Sequence, residues 1–511
     1  MNFKEPKSGK FLEPSLNFLV SPPSKAKLHC MRRLLITLLA LIMFLLGAAT
    51  YVDYTCVNLP SAYFNYSNIS FPSDVMNNIT EMDNMPATNP TTDAGATLGR
   101  VLFYDIDLSK NRSISCASCH QQKFSFTDTA RFSKGFNGQF TERNSMGLIH
   151  ARFQKDSAFF WDNRASSLEI QALMPIISSV EMGLTLDTLV ARVSNKSFYP
   201  PLFKEAFGTT IVSETAIAKA LAQFVRSMNT FGSKFRAGVI TASGNPSIVP
   251  FKNFTAQENL GKDLFMDIRR GNCQACHTRN IMVPQGSKNI GLDLVYKDNG
   301  VGAVTGNTSK NGQFSVPSLI NVELTAPYMH DGRYKTLEQV VNFYSDSIKP
   351  HQNLDGFLRE IIPGNPIPNN DPCNTCPPRK IQYNEVEKAA LVAFLKTLTD
   401  TLITTDPRWS DPFCIKEDGT VEPSAILSLN VYPNPVRINR PLTIEVVSGQ
   451  SYQGSINIYT MGGTLVHKKQ YSASIGKQRM ILSNGFTSKG PYVVTCMVNG
   501  KRKLSRKIIV E

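Results

Sequence analysis

Apolar side chains recur at helical intervals over most of the chain. In "TAIAKALAQFVRSM", Ile217, Leu221 and Phe224 share one face of a predicted helix. The stretches "TAQENLGKDLFMD" and "NEVEKAALVAFLKTLTD" each open on a residue that can cap a helix, Thr255 and Asn384. These patterns predict a mainly α-helical region that fills most of the chain.

The helical pattern gives way to a strand pattern near residue 427. From "PLTIEVVSG" to "GPYVVTCMVNGKRKLSRKIIVE", apolar and polar residues alternate between Gly, Asn and Pro turns. Alternation of this kind predicts a small antiparallel β-sandwich. It holds no cluster of catalytic residue types, so we expect the chemistry to lie in the helical region.

The helical region repeats a short pattern. "LGRVLFYD" and "LGKDLFMD" each stand shortly before a C-x-x-C-H motif, which indicates a duplicated unit. The Gly/Pro/Ser-rich stretch "TASGNPSIVP" separates the two copies. The predicted segments are a linker over residues 51–90, helical domains over residues 91–245 and 251–405, and the sandwich over residues 427–511.

Residues 1–50 predict a leader. "MRRLLITLLALIMFLLGAAT", residues 31–50, has two arginines, an apolar run and then small residues, the layout of a secretory signal peptide. The run is short for a membrane span, and an uncleaved anchor is the alternative. We expect Met31 to be the true start, because the residues before it are polar and Pro-rich.

The composition is that of a globular protein. Of 511 residues, 42% are hydrophobic and 18% are charged, which excludes a disordered or fibrous chain. The formal net charge is +14, but neither a nucleic-acid motif nor a long Lys/Arg run accompanies it. We therefore expect a basic surface without a nucleic-acid partner.

Two C-x-x-C-H motifs carry the candidate chemistry. They consist of Cys116, Cys119 and His120 in "SISCASCHQQ", and of Cys273, Cys276 and His277 in "GNCQACHTR". In c-type cytochromes each thiol adds to a haem vinyl group, and the histidine is the proximal ligand of the iron. A zinc site would need two more well-spaced ligands per motif, which are absent. Because the chain has only 10 Cys and 7 His, chance does not explain two such motifs, and we predict two covalently attached haems.

Export would place the other cysteines in an oxidising compartment. "CNTCP" has C-x-x-C spacing at Cys373 and Cys376, but it has no following histidine and lies in a Pro/Asn-rich loop. We therefore expect a structural disulfide there rather than a third haem.

The segments "LGRVLFYDIDLSKNRSISCASCH", "AFFWDNRASSLEIQALMPIISSVEMG", "GKDLFMDIRRGNCQACH" and "VPSLINVELTAPYMHDGRYKTLEQVVNFY" follow one another between residues of about 95 and 400. Together they resemble the bacterial dihaem cytochrome c peroxidases and their MauG-like relatives. The resemblance implies two cytochrome c-like haem domains. It also implies hydrogen peroxide as the substrate.

The resemblance implies that His120 holds the peroxidatic haem, with Gln171, Pro175 and Glu181 in the distal pocket. Heterolysis of an O–O bond needs a proton moved from the near oxygen to the leaving oxygen, and a carboxylate such as Glu181 can move it. Gln171 can hydrogen-bond bound peroxide or water, and Pro175 can restrict access to the iron.

An electron relay and a calcium ion between the haems are also implied. Trp161 matches the tryptophan that the family places there, where a large π-system can relay electrons or hold an oxidising equivalent. Asn144, with the main-chain carbonyls of Thr325 and Pro327, matches a calcium site, and oxygen ligands suit this hard cation. His330 matches a histidine near the second haem.

One departure from the family concerns the first haem. Many dihaem peroxidases have a histidine in the loop after the first motif, and it ligates the peroxidatic iron until the other haem is reduced. In "RFSKGFNGQFTERN" the matching place is Phe136, and no histidine is near. Because phenylalanine cannot ligate iron, we predict a five-coordinate first haem in the resting ferric enzyme, ready without reductive activation.

A second departure concerns the haem on His277. The peroxidases generally have a methionine as its sixth ligand, whereas "TLEQVVNFY" has Tyr344 at that place, as in the MauG-like branch. A phenolate stabilises ferric iron and lowers its potential. Met329 in "PYMHDG" is the alternative ligand. Smaller departures are Asn163 where the family has glycine, and Ile320 where it has an arginine that could meet a haem propionate.

The motifs "VYPNP" and "INIYTMGGTLV" near the C-terminus resemble the sorting domain recognised by the type IX secretion system. The resemblance implies passage through the periplasm, where haem is attached, and then export to the outer-membrane surface or the medium. The type IX machinery is thus an expected partner. A sandwich that binds carbohydrate or protein is the alternative.

Three functions fit these features. We favour a peroxidase that reduces hydrogen peroxide to water with electrons from a small donor, such as a cytochrome c or a cupredoxin. The second is a MauG-like oxidase that modifies a protein or an organic substrate, which Phe136 and Tyr344 favour. The third is a non-enzymatic electron-transfer cytochrome, against which Glu181 argues, because a carrier needs no distal acid.

Overall fold

The computed structural model describes most of the helical and strand regions. The described residues are 57–69, 71–72, 75, 82–154, 158–278, 282–284, 286–360, 376–413, 426–448, 452–460, 464–473, 476–482, 486, 488–498 and 501–511. The predicted leader, parts of the predicted linker and Cys373 lie outside these ranges. Cys376 forms a disulfide, as expected for "CNTCP". Within the same ranges, no helix is long and apolar enough to cross a membrane.

Helices dominate the region before residue 400, as predicted. In chain order they are α1 (Asp93–Tyr104), α2 (Cys116–Cys119), α3 (Leu168–Ile177), α4 (Leu186–Asn195), α5 (Tyr199–Phe207), α6 (Glu214–Arg226), α7 (Lys234–Thr241), α8 (Ala256–Met266), α9 (Val301–Thr305), α10 (Leu337–Asp346) and α11 (Glu385–Lys396). The predicted caps are both present: Thr255 begins α8 in a capping box with Glu258, and Asn384 caps α11. Local sequence therefore fixes both helix starts.

The repeated "LG" pattern has the same structural role in both halves. A Cβ at Gly99 in α1 would lie 2.0 Å from the main-chain oxygen of Ala220 in α6. A Cβ at Gly261 in α8 would lie 1.9 Å from the main-chain oxygen of Ala390 in α11. Each pair of helices thus approaches so closely that only glycine fits. The shared contact supports the duplicated unit that the sequence predicts.

One buried apolar cluster extends through both helical halves. It includes Phe103 of α1, Phe224 of α6, Phe265 of α8 and Phe394 of α11. Short strands border the same region, namely β1 (His277–Thr278) paired with β2 (Val283–Pro284), and β3 (Ser287–Lys288) paired with β4 (Phe314–Ser315). The core therefore connects the surroundings of both C-x-x-C-H motifs.

The C-terminal region forms antiparallel strands, as predicted. They are β5 (Ile426–Tyr432), β6 (Leu442–Ser448), β7 (Tyr452–Thr460), β8 (Leu465–Ala473), β9 (Gly476–Leu482), β10 (Gly490–Val498) and β11 (Lys501–Val510). One sheet has the order β5-β6-β9 and the other has the order β11-β10-β7-β8. Both contribute to one buried apolar cluster, with Ile444 and Val446 from the first sheet and Ile456 and Val494 from the second.

Candidate functional site

Both C-x-x-C-H motifs border one continuous cavity of about 830 Å³. Most of the predicted site residues line it: Cys119, His120, Asn144, Trp161, Gln171, Pro175, Glu181, Cys273, Cys276, His277, Thr325, Pro327, Met329, His330 and Tyr344. Cys116 and Phe136 do not belong to its lining. The fold therefore brings side chains from distant parts of the sequence to one place.

The first motif presents His120 in a form suited to iron. The single turn of α2 ends where the His120 N–H donates to the oxygen of Cys116, at 2.9 Å. On the imidazole, Nδ1 lies 3.0 Å from the main-chain oxygen of Phe126. Burial lowers the pKa of His120, so the ring is neutral and Nδ1 carries the proton that this carbonyl accepts. Nε2 is then left with a lone pair for a metal.

The second motif repeats this arrangement with a different backbone. Asn272, at a φ of 50°, leads into a 3-10 turn that starts at Cys273. His277 Nδ1 lies 3.1 Å from the main-chain oxygen of Pro317. Burial lowers the pKa of His277 to about 4, which again leaves a neutral ring with Nε2 available. Both motifs therefore fit a histidine-ligated haem.

The four motif cysteines are half-buried, and their thiols are protonated. Burial raises the pKa to about 12 for Cys116 and Cys273, and to about 11 for Cys119 and Cys276. A zinc site would need thiolates that converge on one point. In the described part of the chain, no three His, Cys, Asp or Glu side chains are grouped so that they could hold a metal ion. The motifs fit haem attachment better than zinc.

Helix α3 provides two of the predicted distal residues. Ser167 caps the helix, and Gln171 and Pro175 are one turn apart, so they share a face that borders the cavity. Pro175 has no N–H, which leaves the main-chain oxygen of Gln171 without its usual helical partner. The amide side chain of Gln171 and the ring of Pro175 thus border the cavity from the same helix face.

Glu181 follows α3 in a tight loop and is half-buried. Its N–H donates to Ser178 Oγ at 3.2 Å. Burial raises the pKa of the carboxyl group, while a hydrogen bond with Ser178 and the positive charge of Arg164 oppose the rise. A carboxylate with a raised pKa is a stronger base than an exposed glutamate, which suits proton transfer.

Phe136 packs outside the cavity. Its ring lies against Gly183, where an added Cβ would be 2.3 Å from Cε1 of the ring. Gly183 adopts a φ of +66°, which favours glycine. Phe136 therefore packs against the loop that carries Glu181 and does not line the cavity. Five-coordination of the first haem stays a prediction.

Trp161 connects the surroundings of the two motifs. Its indole Nε1 donates to the main-chain oxygen of Asn144 at 2.8 Å, and its own main-chain oxygen accepts from Ser315 N at 2.7 Å. The ring packs in the apolar cluster that also contacts Tyr344. The next residues form a turn in which Asn163 has a φ of 59°, a conformation that asparagine tolerates in place of the family's glycine.

The predicted calcium ligands border the cavity together. Asn144 is buried, and its Nδ2 donates to the main-chain oxygens of Ala130 and Arg131 at 3.1 and 3.2 Å. This leaves its Oδ1 available for a cation. Oxygens of Asn144, Thr325 and Pro327 have the chemistry that calcium prefers. The calcium ion itself stays a prediction.

Tyr344 and Met329 both border the second part of the cavity. Tyr344 lies on α10, which Thr336 caps, and it packs with Met329 against the cluster that includes Phe314 and Phe343. Burial raises the pKa of Tyr344, so the free side chain is a neutral phenol. Both side chains are placed beside the second motif, and the preference for Tyr344 as the iron ligand stays a prediction.

His330 is buried and stacks on Phe314, with ring centroids 3.6 Å apart and planes 10° apart. Burial lowers the pKa of His330 to about 4, against the opposing charges of Asp331 and Asp298. Its main-chain oxygen accepts from Asn144 N at 2.8 Å. His330 therefore contacts Phe314 through its ring and Asn144, a predicted calcium ligand, through its main-chain oxygen. The sequence indicated the histidine but not its stacking partner.

A chain of ion pairs that sequence reasoning missed runs beside Trp161. Arg164 Nη1 lies 2.9 Å from Asp162 Oδ1, and Arg143 contacts Asp162 through the other carboxylate oxygen. Arg143 Nε also lies 2.7 Å from Asp298. Of these residues, the sequence pointed only to Asp162 and Arg164, because both lie in the family-like stretch "WDNR". Arg164 connects the ion pairs to Glu181 electrostatically.

Comparison with known proteins places these features in a family context. The model of the di-haem cytochrome c peroxidase family matches residues 93–240 and 255–400. The model of the secretion system C-terminal sorting domain matches residues 430–511. Together the two matches span both C-x-x-C-H motifs and nearly all of the C-terminal pair of sheets, apart from the first residues of β5.

Individual relatives agree with this family. The methylamine utilization protein MauG of Methylophilus methylotrophus is 29% identical over 323 residues, which cover 61% of this chain and 84% of the relative. The cytochrome c551 peroxidase of Nitrosomonas europaea is 32% identical over 315 residues, which cover 58% of this chain and 89% of the relative. Among solved structures, a MauG-like protein associated with microbial copper homeostasis aligns with a TM-score of 0.55 and 30% identity, over 68% of this chain and 99% of that chain.

Proposed function

The chain belongs to the di-haem cytochrome c peroxidase family and carries a secretion sorting domain, and we propose that it is an exported peroxidase that reduces hydrogen peroxide to water. Each turnover would consume one peroxide, two electrons and two protons, and release two waters. The electrons would come from a small donor such as a cytochrome c or a cupredoxin. The observation that carries the proposal is the half-buried carboxyl group of Glu181 in the cavity that His120 also lines.

The residues around His120 have complementary roles. A haem held at this motif would supply an iron with an open face, where peroxide can bind. Glu181 takes the proton from the near peroxide oxygen and returns it to the leaving oxygen, which departs as water. Gln171 holds the peroxide by hydrogen bonds, and Pro175 limits access with its apolar ring.

The residues around His277 handle electrons. Tyr344, or Met329 as the alternative, would be the second protein ligand of a haem held at His277, and His330 would support the site through its stacking on Phe314. Trp161 would relay electrons toward the first site, a role supported by its position in the lining of the cavity that both motifs share. A calcium ion at Asn144, Thr325 and Pro327 would hold this connection in place.

A MauG-like oxidase is the second candidate. Tyr344 favours it, because a phenolate ligand would lower the potential of the second haem and so stabilise an oxidised protein. The replacement of the family's histidine by Phe136 points the same way. Such an enzyme would use peroxide to oxidise a protein or an organic molecule instead of a small redox donor.

The sorting domain supports export by the type IX secretion system. We propose that the protein passes through the periplasm and functions at the outer-membrane surface or outside the cell. Peroxide that reaches the cell from outside would be its substrate there. The predicted signal peptide agrees with this route, although it lies outside the described residues.

Rapid mixing of the purified dihaem protein with peroxide, with and without reduced cytochrome c, tests the proposal. Fast oxidation of the donor supports the peroxidase. A long-lived spectral change with slow donor oxidation supports the oxidase. No reaction with peroxide would leave the electron-transfer cytochrome and overturn both enzyme proposals. When the same mixing is repeated with Glu181→Gln, Glu385→Gln is the matched control for the loss of one carboxylate, because the Glu385 side chain is 90% exposed.

A further inference from the structure

Tyr383 has a buried hydroxyl group that the protein leaves unpaired. The side chain is 5% exposed and borders the cavity, and its Oη has no hydrogen-bond partner. The hydroxyl lies beside Cys273, because a Cβ added to Gly271 would be 2.8 Å from Tyr383 Oη and 3.2 Å from Cys273 Sγ. A buried hydroxyl without a partner is costly. It therefore points to a group that is bound in the cavity.

Arg379 places a positive charge at the same edge. It is 8% exposed, borders the cavity, and donates through Nη1 and Nη2 to the main-chain oxygens of Arg270 and Ile268, at 3.0 and 3.2 Å. Asp267 acts on it electrostatically, but no described carboxylate forms an ion pair with it. Carbonyl oxygens orient the guanidinium without neutralising it, and a buried charge of this kind needs compensation.

The neighbouring arginine differs in this respect. Arg270 lies over the Tyr383 ring, with Cζ 5.3 Å from its centroid, and its Nη2 donates to Glu387 Oε2 at 2.9 Å. Glu387 therefore balances the charge of Arg270. Among the described residues, Arg379 is therefore the arginine at this cavity edge that no carboxylate pairs with.

We propose that Arg379 and Tyr383 raise the reduction potential of the haem bound next to Cys273, by a buried positive charge and a hydroxyl donor at its edge. When a donor gives one electron to the ferric haem, the charge of the haem falls by one. A nearby cation stabilises the reduced form more than the oxidised form. Because Arg379 is buried, water and salt screen this effect little. Neither residue carried any signal in the sequence motifs.

This role matters for the proposed function. It rests on that function only in requiring a haem at the second motif. A phenolate from Tyr344 would lower the potential, and Arg379 and Tyr383 would counter it. The balance decides whether the second haem can accept electrons from a donor such as a cytochrome c. Through the potential of the second haem, Arg379 and Tyr383 thus help to decide whether the protein works as a donor-driven peroxidase or as an oxidase.

Spectroelectrochemical titration of the full-length dihaem protein tests the proposal. In Arg379→Gln we expect the ratio of reduced to oxidised second haem, at a fixed potential, to fall about tenfold, which is about 59 mV for a one-electron couple. Arg379→Lys should keep the wild-type value, because it keeps the charge. Tyr383→Phe should lower the potential by a smaller amount. Arg269→Gln is the matched control, because Arg269 is an exposed arginine between Ile268 and Arg270, the residues whose main-chain oxygens Arg379 contacts.

Equal potentials in Arg379→Gln and Arg269→Gln would overturn the proposal. A fall of the same size in Arg379→Lys would also overturn it, because the loss would then come from the contacts to Arg270 and Ile268 rather than from charge. Haem content and thermal unfolding of each variant show whether the site has stayed intact. These titrations need no peroxide, so their outcome is separate from failure of the proposed peroxidase activity.

Discussion

The N–H of Phe136 donates a hydrogen bond of 2.9 Å to the main-chain oxygen of Glu181. The ring of Phe136 also packs on Gly183, two residues after Glu181. The segment in which many dihaem peroxidases carry a ligating histidine is therefore attached to the loop that bears the proposed acid. This contact gives Phe136 a supporting role and leaves the cavity side of the loop to Glu181.

Replacement of Glu181 should slow the reaction with peroxide. Glu181→Gln removes the group that moves the proton but keeps a similar shape, so we expect a fall of about 10²–10⁴-fold in the second-order rate constant. Stopped-flow mixing with peroxide measures it. The haem spectrum should be unchanged. A rate constant equal to that of wild type would remove Glu181 from the mechanism.

The peroxide reaction should depend on pH through Glu181. Glu181 must be ionised to accept the proton, and burial raises its pKa above the usual value of about 4.3. The rate constant should therefore fall as the pH is lowered through this raised pKa, at a higher pH than for an exposed glutamate. The pH profile of the second-order rate constant checks this direction.

Arg164 should control the position of that acid limb. Its positive charge lowers the pKa of Glu181, so Arg164→Gln should move the fall in rate to higher pH. Arg164→Lys should restore most of the wild-type profile. Cyanide binding to the ferric protein, followed over the same pH range, gives a second readout that does not depend on turnover. An unshifted profile in Arg164→Gln would show that this charge does not act on Glu181.

The ligand of the second haem can be assigned by a pair of variants. We expect Tyr344→Phe to change the low-spin spectrum of the ferric protein and Met329→Leu to leave it unchanged, because the resemblance puts Tyr344 at the family's ligand position. Electron paramagnetic resonance and near-infrared absorption report the ligand type. The reverse pattern would assign Met329.

The close helix pairs should be sensitive to a single methyl group. In Gly99→Ala and Gly261→Ala the new Cβ would meet a main-chain oxygen at 2.0 and 1.9 Å, so the helices must separate. We expect each to lower the free energy of unfolding by about 1–3 kcal/mol. Gly208→Ala is the comparison, because no atom lies within 4 Å of its Cβ and only its φ of +75° opposes alanine. Denaturant unfolding measures all three.

The features that could be predicted from the sequence are those that a few adjacent residues determine. The caps at Thr255 and Asn384 and the motif histidines could be located because each depends on a few adjacent residues. The stacking of His330 on Phe314 could not be predicted, because the two residues are 16 positions apart in the sequence and only tertiary packing brings their rings together. Tyr383 was missed for the same reason, since its hydroxyl approaches Gly271, which is more than one hundred residues away in the sequence.

Phe136 shows where a family resemblance needs the structure. The resemblance puts Phe136 at the place of a ligating histidine, and the chemistry of phenylalanine excludes ligation. Its contact with the loop of Glu181 depends on the conformation of Gly183, which the sequence alone does not specify. The resemblance thus indicated the missing ligand, and the structure supplied the role of the residue that replaced it.

Cyanide titration of the resting ferric dihaem protein, followed by electron paramagnetic resonance, tests most directly whether the two haem sites are unequal. We expect one high-spin haem that binds one equivalent of cyanide, at His120, and one low-spin haem that does not bind it, at His277. Two low-spin haems that both resist cyanide, or two haems that both bind it, would contradict the assignment of one open and one closed site.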